Sequence, residues 1–157
     1  MAEVSRWVRI AREIEALLTA DGMPEGLSVH RHAHRKTSQL LLPATVIDAN
    51  LDEDIEVDDH DGLEIRTRSL RIIHRVVIAS DRPDEDAVPA EEALDPLLVW
   101  TAKQLKAPGA FTEGLVLDVR ETSGVGQAVE AEETYAGRIQ DFEIDYATLE
   151  HDPTETP

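Results

Sequence analysis

Residues 66–80 read RTRSLRIIHRVVIAS, a run without glycine or proline in which apolar and basic side chains alternate. Side chains on a strand point to opposite faces with a period of two. Leu70, Ile72, Val76 and Ile78 therefore share one face with His74, while Ile73, Val77 and Ala79 share the other with Arg71 and Arg75. Apolar groups on both faces predict that the later half of this strand is covered on both sides. Just upstream, Asp58-Asp59-His60-Asp61-Gly62 is a turn sequence, since Asp and Gly both tolerate positive φ. Asp52 to Val57 and Leu63 to Ser80 then read as the two arms of a long acidic β-hairpin.

The flanking segments supply helices and further strands. Residues 3–20 carry Val4, Trp7, Val8, Ala11, Ile14, Leu17 and Leu18 at the three-four spacing of one helical face, with Arg6, Arg9, Arg12, Glu13 and Glu15 on the remainder. Asp21-Gly22 and Pro24 end that helix. Leu27 to His34 and Gln39 to Ile47 read as strands, and Pro43 in the second suggests an edge position or a bulge. After a polar linker at 81–88, Leu94, Leu97, Leu98, Thr101 and Leu105 mark the buried stripe of a second helix. Asp95-Pro96 is either its cap and first position or a disturbance within a longer helix. Leu115 to Val119 and Arg138 to Leu149 are the last strands, the latter with Ile139, Phe142, Ile144 and Tyr146 as apolar members. The stretch from Ser123 to Glu133 has no stable pattern and is expected to be a mobile loop.

These elements predict one α+β domain over residues 1–149, with a mostly antiparallel mixed sheet, two main helices packed against it and the long acidic hairpin. Residues 150–157 have nothing to bury and are expected to fray. The expected core includes Leu70, Ile72, Val76, Ile78, Leu98, Leu105, Val119 and Ile144. With aromatics at only 4%, aliphatic side chains must fill most of it.

Charge narrows the function classes. The net charge of −18 is uneven: the first 36 residues hold six basic and five acidic side chains, and the rest hold nine and 28. Between Asp48 and Glu64 there are nine acids and no Lys or Arg. Such a surface repels phosphate, because nucleic-acid binding depends on cations that displace condensed counterions. Cysteine is absent, which excludes thiolate chemistry and a disulfide framework and suits a reducing cytoplasm. No apolar run approaches the roughly 20 residues of a membrane span.

Candidate chemical motifs are few. His30, His32 and His34 would line one face of a strand about 7 Å apart, and alternating imidazoles can hold a metal. Arg31, Arg35 and Lys36 crowd them with positive charge, which disfavours a cation. Asp48-x-Asn50-x-Asp52 opens like a calcium loop but has Glu53 where glycine is needed and Asp59 at the twelfth position instead of glutamate. Ser123-Gly124-Val125-Gly126 lacks the Gly-Lys-Ser/Thr of a phosphate loop, and no nucleophile motif such as Gly-x-Ser-x-Gly occurs. No catalytic, cofactor-binding or metal-binding residue is assigned, and the chain is expected not to be an enzyme.

The order of elements over residues 3–149 resembles the tail terminator family of long-tailed bacteriophages. The similarity rests on the leading helix, the Leu41-Leu42-Pro43-Ala44 entry to the hairpin, Arg68 to Ala79 as an Arg-led strand, Glu92 to Leu105 as the single long helix, and Phe142 to Tyr146 as the closing strand. The resemblance implies a mixed sheet flanked by helices and a six-membered ring of copies on the end of the tail tube. There the ring stops tube polymerisation and offers a surface to head-side neck proteins. It also implies a protein made in the host bacterial cytoplasm and placed at the head-facing end of the virion tail. The tube protein and a neck or head-completion protein would be its partners, with DNA passing through unbound. On that reading Asp52, Glu53, Asp54, Glu56, Asp58, Asp59 and Asp61 face the channel or an interface, where negative charge keeps passing DNA from adhering. A head–tail connector or tail completion protein is the alternative within the same biology, and a small metal-dependent enzyme using His30, His32 and His34 is the alternative outside it.

Overall fold

The computed structural model describes residues 4–31, 42–49, 53–56, 63–77, 90–122, 130–131 and 135–149. Among them are the helices α1 (Arg6–Leu18) and α2 (Ala90–Lys106) and the strands β1 (Ser28–Arg31), β2 (Ala44–Asp48), β3 (Glu53–Glu56), β4 (Leu63–Val77), β5 (Asp118–Glu121), β6 (Glu130–Ala131) and β7 (Tyr135–Leu149). β4 and β7 pair antiparallel along their whole length, from Leu63 opposite Leu149 to Val77 opposite Tyr135. The other strands line the edges of this ribbon. β2 and β3 pair in succession with the outer edge of β4, at Arg71–Arg75 and Ile65–Arg68. β5 and β6 do the same on the outer edge of β7, and β1 adds to β2 in parallel. The result is the α+β domain with a mixed, mostly antiparallel sheet and two helices.

Both helices pack on one face of the sheet. Trp7, Ile10, Ala11, Ile14 and Leu18 of α1 close over Ile47, Leu70, Ile72, Phe142 and Ile144. Each fully buried aliphatic or aromatic side chain there contributes about 1.5–3 kcal/mol. A second cluster joins Leu94 and Leu97 of α2 to Leu27, Val76 and Ala136. The helices are tied together at the C-terminal end of α1, whose last carbonyls lack intrahelical donors. Trp100 Nε1 donates to the Leu18 carbonyl at 3.2 Å, and Gln104 Nε2 donates to that of Leu17 at 2.7 Å. Ser5 caps the other end, its hydroxyl accepting from the Val8 amide, and Gly22 at φ 94° carries the exit.

Several expectations are corrected. β4 is not covered on both sides: Leu70, Ile72, His74 and Val76 are buried, whereas Ile73 is only half-buried and Val77 is 64% exposed. Both helices occupy the same face, so alternate residues meet a charged, partly open surface instead. Arg6 is not on the polar side of α1 but fully buried. Pro43 marks neither an edge nor a bulge; it directly precedes β2, which lies between β1 and β4. At a strand entry its missing N–H costs no ladder bond, and its carbonyl accepts from the Ser28 amide at 3.0 Å. Of the two readings of Asp95-Pro96 the longer helix is the one found: α2 begins at Ala90, Pro96 lies inside it and Asp95 is not its cap. The strand expected from Leu115 runs instead from Asp118 to Glu121. Leu98 and Val119 are half-buried rather than core, and within the patternless 123–133 stretch Glu130 and Ala131 pair with β7. Ile78 and the terminal residues 150–157 lie outside the described residues.

Candidate functional site

The acidic hairpin is placed in part. Asp52, Asp58, Asp59 and Asp61 lie outside the described residues. Glu53, Asp54 and Glu56 are on β3, in register with Arg68, Thr67 and Ile65 of β4. Among the described residues β3 thus forms the sheet edge on the side away from β7, next to the Leu63 end of β4. The other end of β4, at Val76, packs against α2. His30 is on β1, with its Nε2 3.0 Å from the Ser28 hydroxyl; His32 and His34 lie outside the described residues. Among the described residues no three histidine or carboxylate side chains converge as a metal site would require.

The open face of the sheet carries ion pairs between neighbouring strands. Arg71 Nε donates to Asp141 at 2.9 Å. Arg120 on β5 spans Asp118, Glu143 and Asp145, and Asp145 also accepts from the Thr67 hydroxyl at 2.7 Å. The Arg120 guanidinium, followed by the Thr67 hydroxyl, holds the Asp145 carboxyl below the usual carboxylate range against the opposing effect of burial. Exposed pairs of this kind contribute little to stability; their effect is to fix which strands lie side by side. Arg75 crosses β7 at Gly137, where a Cβ would fall 1.8 Å from its Nη1, so any side chain there would require the Arg75 guanidinium to move.

Two buried polar groups were not singled out as functional candidates by the sequence. The first is His74, fully buried toward the C-terminal end of β4. Its Nδ1 lies 3.0 Å from the Thr45 hydroxyl on β2 and its Nε2 lies 2.9 Å from Gln140 Oε1 on β7. Gln140 Nε2 in turn donates to the Leu98 carbonyl of α2 and to Glu121 of β5, which also faces Lys106. With the amide so oriented, Nε2 of the imidazole carries the proton and Nδ1 accepts from Thr45. Burial pushes the His74 pKa down to about 4, with the Gln140 hydrogen bond opposing and nearby Arg138 assisting. This chain of side chains is satisfied and neutral at its buried end, which suits a structural clasp across five elements.

The second is Arg6. Its guanidinium donates to the carbonyls of Ala147 on β7 and Gly114 in the turn after α2, while Nε has no hydrogen-bond partner among the described residues. Burial, then repulsion from Arg9, lowers its pKa. Beside it, Arg9, Arg12, Glu13, Thr112, Glu113 and Leu115 line a groove of about 340 Å³. Both oxygens of Glu13 are engaged by Thr112, one by its amide at 2.9 Å and one by its hydroxyl. The sequence signal for this site was present: Arg6 precedes Ile10 by one i,i+4 step on the buried stripe. No protein-family model matches the chain, and no curated protein sequence matches it. No helix among the described residues is long and apolar enough to cross a membrane.

Proposed function

We propose that this chain is a structural protein of a phage tail that caps the tail tube as a ring of identical copies, ending tube polymerisation and presenting a surface for joining the head. The observation that supports the reading is the position of β3, which carries Glu53, Asp54 and Glu56 along the outer edge of β4. β3 and the start of β4 form one edge and one end of a sheet whose helices are confined to a single face. Over its 15 residues β4 extends for about 50 Å from Leu63 to the end that packs on α2. A ring built from such units can turn its acidic ends toward a common channel or rim. Negative charge there gives DNA phosphates nothing to displace counterions with, so the polymer passes without adhering.

The order of helices and strands supports the same reading, being the one on which the resemblance rests. The test is a tail preparation made without this protein. Tubes of uncontrolled length that fail to join heads are expected, and addition of the purified chain should restore both length control and ring-shaped ends in negative stain. Tubes of normal length that join heads in its absence would overturn the reading.

A further inference from the structure

We infer that copies of this chain join through the two ends of the sheet, β1 of one copy pairing antiparallel with β5 of the next and Val29 lying opposite Val119. The inference deepens the ring reading by naming the surface that would build the ring, and it rests on that reading for the identity of the partner.

Among the described residues the sheet runs β1-β2-β4-β7-β5, so each end strand is paired on one side. The Ser28 amide donates to the Pro43 carbonyl at the start of β2, which turns the backbone groups of Val29 and Arg31 outward by the alternation of a strand. The Thr122 amide donates to the Asp141 carbonyl of β7, which turns the backbone groups of Val119 outward in the same way. A strand edge of this kind is a template for a further strand.

Two relations make a second copy the fitting partner. The first is polarity. β1 runs with β2 and therefore against β4, whereas β5 runs against β7 and therefore with β4. A copy set beside the first, helices on the same side, thus offers β5 antiparallel to β1, the more stable kind of ladder. The second relation is side-chain chemistry. Val29 and Val119 are half-buried on the helix face, each packed against the core. Placed opposite one another they form a β-branched cross-strand pair that carries the core from one copy into the next. On the open face the same register sets His30 against Asp118 and Ser28 against Arg120. Moving the register by two residues would set Val29 against Glu121 and His30 against Arg120, which is worse on both faces. Leu117, 55% exposed just before β5, also falls within the contact.

Through the intervening strands Val29 is level with His74, and Val119 with Arg68. Neighbours are therefore staggered by about six residues, about 20 Å along the strand. The stagger carries β3 and β6, which extend the same edges at other levels, clear of the contact. One edge meeting the other is a head-to-tail contact, of the type that closes into a ring when its rotation permits.

The chain contains no cysteine, so an introduced pair reports this contact alone. The experiment oxidises full-length His30→Cys/Asp118→Cys with copper phenanthroline, at high protein concentration and raised salt. In the inferred ladder these two positions form a non-hydrogen-bonded pair, whose close side chains suit a disulfide. Within one copy they lie four strand spacings apart, about 19 Å, so a disulfide can only join copies. A ladder of covalent multimers ending in one discrete closed species is expected on non-reducing gels. The displaced pair Ser28→Cys/Asp118→Cys should give about tenfold less product. Circular dichroism checks that both variants remain folded. Absence of multimers, or equal yield from the displaced pair, would overturn the inference. Tube capping by the same proteins under reducing conditions separates the two readings. A protein that caps tubes but does not cross-link would refute the edge contact and leave a capping ring standing. A ladder from a protein that does not cap tubes would refute the tail reading alone.

Discussion

His74 gives this protein a stability that depends on pH in a calculable way. The imidazole is fully buried and neutral, hydrogen-bonded by Thr45 and Gln140, and its pKa is pushed from the ordinary 6.5 to about 4. The unfolded chain accepts a proton near 6.5 while the folded chain refuses it until about 4, so protons favour unfolding in that window. The contribution is fully present above pH 6.5 and is lost as pH falls toward 4. Two and a half pKa units correspond to about 3 kcal/mol in all, of which about 2 kcal/mol disappears between pH 7 and pH 5. Most carboxylates remain ionised over that upper part of the window, so it isolates the histidine. Urea unfolding at pH 7, 6 and 5 for the parent and for His74→Gln, which keeps hydrogen-bonding capacity without titrating, measures the difference. The parent should lose about 2 kcal/mol more than the variant. Parallel curves for the two proteins would refute the argument that His74 is held neutral by its surroundings.

Two further outcomes follow from the packing. Arg6→Ala leaves the buried carbonyl of Ala147 and the part-buried carbonyl of Gly114 without their donors and should cost about 1–3 kcal/mol in urea unfolding; Arg6→Lys should recover only part of it, since an ammonium cannot reproduce the planar fork that spans both. Val76→Asp places a carboxylate at a position 5% exposed between Leu94, Leu97 and Ala136 and should lower stability by several kcal/mol, visible as a marked drop in melting temperature; an unchanged melting temperature would contradict the buried face of β4.

The elements legible in the sequence were those whose pattern is local. The period-two run from Leu70 to Val76 and the apolar stripe at Leu94, Leu97, Thr101 and Leu105 give strand and helix directly, because neighbours in sequence are neighbours on the element. What failed was the inference from pattern to coverage. Ile73 and Val77 are as apolar as Ile72 and Val76, but nothing in their spacing tells which face the helices will take. The His74 network was illegible for a different reason: its partners Thr45 and Gln140 are 29 and 66 residues away and meet it only through the register of β2, β4 and β7. A two-residue strand such as β6 has no period at all. Arg6 was readable in principle, but a charged residue on an apolar stripe is assigned to solvent unless its carbonyl partners, supplied here by distant turns and strands, are known.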